Sequence, residues 1–102
     1  MTIMPINRPF VLSSMGVPVR SFTLTEVPTG PGAALANPNA LLTISDTNSL
    51  FSTGTALWST PLSALLVMVN VGQPVPLGGG TTSQGLALVS LPQGCALSID
   101  FG

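Results

Sequence analysis

The chain has 102 residues, which suits one domain, but only five of its side chains are formally charged. A folded chain of this size exposes about 5,400 Å², or roughly one charge per 1,000 Å², far less than ordinary soluble domains carry. Two Arg and no Lys cannot neutralise a run of phosphates, so neither nucleic acid nor an anionic membrane is expected as a partner. The composition predicts a surface covered largely by other protein chains. The five charged residues are Arg8, Arg20, Glu26, Asp46 and Asp100.

The N-terminal region predicts an extended arm over residues 1–12, followed by a single β domain over residues 13–102. Pro5 and Pro9 fix φ, remove two amide donors and favour extended geometry in the residues before them. From residue 17 to 27 apolar and polar side chains alternate, with Phe22 and Leu24 on one face, which predicts a half-buried strand.

The middle of the chain is punctuated by turn residues. Residues 28–39 hold three Pro and two Gly and predict a loop with one helical turn at residues 33–36. Residues 40–45 predict a short strand, closed by Asp46, Thr47 and Asn48, whose side chains can cap a turn by bonding to their own following amides. Residues 49–58 predict a strand pair or one bent strand, with Gly54 at a bulge or turn.

The C-terminal half alternates apolar runs with glycine. Residues 65–71 are nearly all apolar and rich in Val, which predicts a strand covered on both faces. Residues 72–85 include three consecutive Gly and predict a mobile loop. Residues 86–91 and 95–101 predict a hairpin, with Cys95, Leu97, Ile99 and Phe101 on one face. The whole pattern predicts an all-β fold, a small sandwich or barrel of six to eight short antiparallel strands.

The residues that could carry chemistry are few. Without His, acid–base work would fall to Glu26, Asp46, Asp100 or Cys95, and Cys95 is most simply a small buried hydrophobe. No His or Cys cluster or carboxylate loop predicts a metal site, and the glycine run lacks the Lys of a phosphate-binding loop. The sequence therefore predicts neither an enzyme nor a cofactor.

In overall character the chain resembles the small capsid decoration, or cement, proteins of tailed bacteriophages. The features that carry this resemblance are the Pro-containing arm over residues 1–10, the strand-rich body and the Gly-rich loop over residues 72–85. The resemblance implies a virion protein on the outer capsid surface. Its partners would be the major capsid protein and copies of itself, a trimer being favoured, and it would clamp neighbouring capsid subunits through the arm and apolar surfaces.

The interface hypothesis involves the arm, the single Trp and the start of the Gly-rich loop. Its residues are Met1, Ile3, Met4, Pro5, Ile6, Arg8, Pro9, Phe10, Trp58, Pro74, Val75, Pro76 and Leu77. One alternative is a carbohydrate- or receptor-binding sandwich with Trp58, Asn37, Asn39 and Asp46 lining a shallow site. Another is a self-assembling filament or surface-layer subunit, because strand edges are normally protected by Lys and this chain has none.

Overall fold

The computed structural model describes residues 2–27, 39–52 and 54–102, and these form two four-stranded antiparallel sheets. The first sheet has the order β1-β8-β3-β6, with β1 Thr2–Ile6, β3 Val19–Glu26, β6 Pro74–Pro76 and β8 Ala96–Phe101. The second has the order β2-β7-β4-β5, with β2 Phe10–Ser13, β4 Leu41–Asp46, β5 Thr55–Pro61 and β7 Leu86–Ser90. The predicted all-β fold of six to eight short antiparallel strands is confirmed.

The order of strands is that of a jelly roll, in which two Greek keys form two facing sheets. Successive strands alternate between the sheets, except that β4 and β5 pair as neighbours in the second sheet. The connections after β2, β4 and β6 therefore lie at one end of the sandwich, and those after β1, β3, β5 and β7 lie at the other. We call these the β2–β3 end and the β1–β2 end.

The core fills the space between the sheets. Phe22 and Leu24 of β3 are fully buried, as their alternation with polar residues predicts, and so are Leu97 and Ile99 of β8. Ile44 of β4 faces them from the second sheet. Each such side chain contributes about 1.5–3 kcal/mol relative to leaving it in water.

The segment predicted as an arm lies within the two sheets. β1 pairs with β8 in the register Met4 with Ile99, and β2 pairs with β7 in the register Phe10 with Leu88. Ile6 is buried against the core. Edge strands tolerate proline because one side of their backbone needs no partner, so Pro5 does not prevent pairing. Residues 1–12 and 13–102 are thus not an arm and a body, since described residues of both share one core.

The apolar run predicted as a buried strand is a helix. Helix α1 spans Leu62–Met68, directly after Pro61, and its last turn closes with the amide of Val69 donating to the carbonyl of Leu65 at 3.0 Å. Leu62, Leu65 and Val69 are buried, a helical spacing that packs one side of the segment on the core. No helix among the described residues has the length and apolarity needed to cross a membrane.

The predicted C-terminal hairpin is also wrong, since β7 and β8 belong to different sheets. The turn at residues 92–94 carries the chain across the sandwich, with Gly94 at a φ of 89° and the amide of Cys95 donating to the carbonyl of Pro92. The predicted face of Cys95, Leu97, Ile99 and Phe101 is nevertheless buried. Alternation identified both strands correctly, but it does not say whether consecutive strands lie side by side or face to face.

The Gly-rich segment is tied to β3 over much of its length. Val75 of β6 pairs with Phe22, and the amides of Leu77 and Val19 donate to the carbonyls of Arg20 and Gly80. The predicted mobile loop over residues 72–85 therefore contains a strand. Most of the loop predicted over residues 28–39, with its helical turn, lies outside the described residues.

Candidate interaction surface

Two of the five charges neutralise each other on the first sheet. The guanidinium Nε of Arg20 on β3 lies 3.2 Å from Oδ1 of Asp100 on β8, and its Nη2 donates to the carbonyl of Gly102 at 2.8 Å. Both side chains are partly exposed, so the pair contributes at most about 1 kcal/mol to stability. Its main effect is to remove two charges from the surface.

A third charge is bound by backbone amides at the β2–β3 end. The carboxylate of Asp46 accepts hydrogen bonds from the amides of Ser83 and Gln84, both at 2.8 Å, and from that of Gly85 at 3.2 Å. The bonds from Ser83 and Gln84, followed by that from Gly85, hold the pKa of this carboxyl below its ordinary value. The local cap predicted for Asp46 is wrong, because Asp46 ties the β6–β7 connection to the end of β4.

The turn after β4 has a different internal partner. The hydroxyl of Thr47 accepts from the amide of Ser49 at 3.3 Å, which confirms the local cap predicted for this turn at Thr47. Thr47 is itself buried. Asp46 is thus available for residues nearly forty positions away, a pairing that its sequence neighbourhood does not reveal.

Among the described residues, Arg8 and Glu26 are the two charged side chains with neither an ion pair nor a hydrogen bond to the protein. They line adjoining grooves at the β1–β2 end, of about 250 and 370 Å³, which share Pro5, Ile6 and Asn7. A single positive and a single negative charge create no extended field of one sign. The grooves therefore do not select for a highly charged ligand.

Large apolar side chains are exposed at both ends of the sandwich and on the edge strand β1. They are Ile3, Met15, Leu41, Leu50, Phe51, Val67, Met68 and Val71. Phe51, in the turn between β4 and β5, is as exposed as in an extended chain, at 102%. Helix α1 turns Val67, which is 85% exposed, away from the core, and a helix that is apolar all round is typical of a buried position.

The residues of the interface hypothesis divide between two opposite narrow sides. β1 and β2 are edge strands on one side, and β5 and β6 are edge strands on the other. Ile3, Pro5, Arg8, Pro9, Pro74 and Pro76 are exposed, Met4, Phe10, Trp58, Val75 and Leu77 are half-buried, and Ile6 is buried. Met1 lies outside the described residues. The interface hypothesis did not include Met15, Phe51 and Val67, which are exposed. The one sequence signal for any of them is the helical spacing of residues 62, 65 and 69, which turns Val67 outward.

Trp58 points into the sandwich and offers no exposed platform for a sugar. Its ring contacts Phe22 edge-on, with centroids 5.3 Å apart and planes at 63°. Asn39 and Asp46 flank opposite ends of β4, so their backbones are roughly 20 Å apart at about 3.3 Å per residue. The structure therefore does not bring the predicted carbohydrate site together, and Asn37 lies outside the described residues.

The described residues contain no group of three side chains suited to hold a metal ion. Cys95 is buried, and this burial raises the pKa of its thiol and keeps the thiolate from forming. What the surface offers is uncharged apolar area. Comparisons with protein-family models, curated proteins and solved structures give no match.

Proposed function

We propose that this chain is a structural protein of a virion, a decoration or cement subunit that binds neighbouring major capsid proteins on the outer surface of a capsid. One observation carries the proposal: the described surface exposes eight large apolar side chains, while only Arg8 and Glu26 lack an internal partner. Such a surface favours permanent burial against protein. Exposed apolar area of this kind marks interaction sites in soluble proteins.

The architecture supports the same class of function by analogy. Jelly rolls form many viral capsid domains, and they also occur in lectins and cupins. A fold shared so widely does not specify a function, whereas the exposed apolar side chains of the surface favour binding to other proteins. The lectin alternative receives no support from the described residues, because Trp58 is turned inward and Asp46 is already bound by three amides.

The mechanism is passive. Uncharged side chains can be buried without stripping water from ions, which suits a contact that forms once and persists. Many weak contacts, repeated by the symmetry of a shell, add up to strong retention through avidity. The N-terminal segment enters this mechanism as the open edge of the first sheet, with Ile3 exposed, in place of the predicted free arm.

The test uses empty capsid shells of the virus that encodes the chain. We expect the purified protein to co-sediment with shells at a fixed ratio to the major capsid protein and to raise the temperature at which shells open. Phe51→Ser and Val67→Ser each remove an exposed apolar side chain and should lower occupancy. Thr25→Ser, a change at an exposed polar position, should leave occupancy unchanged. Absence of binding by the wild type would refute the proposal.

A filament or surface-layer subunit is the second candidate, and the observation in its favour is the unprotected edge of β5. β5 has seven residues, none of them charged. Electron microscopy of the purified protein alone separates the two candidates. Open-ended fibres favour the filament, whereas small closed particles favour the decoration subunit.

A further inference from the structure

The four open edges of the two sheets are not equally protected. β6 consists of Pro74, Val75 and Pro76, so only one of its three residues has an amide to offer. β1 carries Pro5, and β2 has four residues. β5 has seven residues, no charge and no proline before its last residue. Proline, charge, bulges and short length are the usual means of blocking an edge. β5 has one bulge and ends with Pro61, but it is uncharged and is the longest of the four edge strands.

The outer edge of β5 has no backbone partner among the described residues. Its ladder runs to β4 alone, from Thr55 opposite Asp46 to Pro61 opposite Leu41. Thr55, Ala56 and Ser59 of β5 are exposed, whereas Thr60 is buried. Among the described residues, the side chain of Ser59 bonds to the hydroxyl of Thr43 at 3.3 Å and to no other group. A bulge interrupts the ladder where Trp58 and Ala56 lie opposite Ile44 and Ser45, and the outer edge is open on either side of it.

We propose that β5 pairs with β5 of a second copy of this chain, antiparallel about a two-fold axis, so that the two second sheets join into one of eight strands. In a two-fold contact each surface meets itself, so a charge would face a like charge. None of the five charged residues lies on β5 or β6. An uncharged edge can therefore pair with the same edge of a second copy without repulsion between like charges. Pairing with a different protein would not require the edge to be uncharged.

The length of β5 suits an extended contact. A ladder along its seven residues would extend over roughly 20 Å at about 3.3 Å per residue. β5 lies over β3 and β6, because Trp58 contacts Phe22 and Leu57 lines a cavity of about 80 Å³ together with Leu77. Pairing along β5 would also cover the half-buried Leu57 and Trp58.

The proposal does not depend on the capsid function and is tested on the isolated protein. Sedimentation velocity over a range of concentrations should show a dimer of the wild type. Ser59→Lys and Ser59→Glu each place like charges across the axis, which weakens the dimer at least about tenfold. Mixing the two variants should restore a heterodimer, which also shows that both are folded. Thr25→Lys adds the same charge to an exposed position of β3 and should leave the dimer intact.

A variant on the β1 edge and a hydrogen-exchange measurement locate the contact within the molecule. Ile3→Lys charges the edge of β1 on the opposite narrow side and should have no effect on the dimer. Amides of residues 55–60 should gain protection from hydrogen exchange as the concentration rises. The proposal is overturned by a monomeric or trimeric wild type, by a dimer that survives Ser59→Lys, or by one that dissociates with Ile3→Lys. Capsid binding is measured separately and can succeed whichever result is found.

Discussion

Replacing Gly85 by Ala tests whether the loops of the β2–β3 end are packed together or merely lie near each other. An ideal Cβ at Gly85 would lie 2.5 Å from the carbonyl oxygen of Ser13, 2.7 Å from that of Thr47 and 3.1 Å from Cα of Asn48. Real Cβ atoms essentially never come closer than 3.0 Å. All three contacts are backbone atoms, so the end of β2 and the turn after β4 must move apart by about 0.5 Å.

The expected cost has two parts. Overpacking of a well-packed site costs about 1–3 kcal/mol. The same movement strains the 3.2 Å hydrogen bond from the amide of Gly85 to Asp46, and losing a bond to a charged group costs about 1.5–3 kcal/mol. We therefore expect Gly85→Ala to lower the free energy of unfolding by about 2–5 kcal/mol, a large share of the 5–15 kcal/mol that domains usually have.

Gly80→Ala is the matched control. A Cβ at Gly80 has no neighbour within 4 Å, and neither glycine has a left-handed φ. Both substitutions reduce the entropy of the unfolded chain equally, by about 0.4–1 kcal/mol, so this term cancels in the comparison. Urea unfolding followed by the fluorescence of Trp58 measures the difference. If the two variants agree within about 0.5 kcal/mol, the packing described for Gly85 is wrong.

Three further predictions concern single polar groups. Asp46→Asn should cost about 1 kcal/mol or less at pH 7, because three amides lose a charged acceptor that is largely screened by solvent. Since these amides lower the pKa of Asp46 below 3.8, its ionisation stabilises the fold above that pH, and this contribution is lost as the pH falls through the folded-state pKa. Urea unfolding of wild type and variant should therefore converge in acid, and a constant difference down to about pH 2 would contradict this account. Ser45→Ala should be neutral or stabilise by up to about 1 kcal/mol in thermal unfolding, because its buried hydroxyl has no partner among the described residues; a loss above 1 kcal/mol would reveal one. Cys95 is buried and its thiol pKa is raised, so it should react with a thiol reagent at least about 100-fold more slowly in the folded protein than in urea. Equal rates would show that the protein around Cys95 opens freely.

The strands that alternation defines most clearly could be predicted from the sequence. Phe22 and Leu24 alternate with Ser and Thr, as Leu97 and Ile99 do with Ser and Asp, and all four are buried as predicted. The period of two is a local property of the pleat, so it survives whatever the strand pairs with. The fold class followed from counting such segments.

The pairing of those strands could not be predicted in the same way. The turn at residues 92–94 is as short as a hairpin turn, yet it connects two sheets, because Leu86 and Leu88 face Leu97 and Ile99 across the core. The run at residues 65–71 fits a buried strand by composition, but burial of Leu65 and Val69 follows the helical spacing. Short apolar runs satisfy both periods, and only the tertiary environment decides between them.

Folding leaves fewer free charges on the surface than the composition of the chain provides. Composition alone gives five charges, but folding pairs Arg20 with Asp100 across 80 positions of sequence and binds Asp46 to amides beyond position 82. Both arrangements are long-range and invisible to any local pattern. Their consequence is that the described surface offers a partner almost no charge to recognise, so specificity has to come from shape and from open backbone edges. Of those edges, β5 is the longest and carries no charge, so we expect a partner strand to add there first.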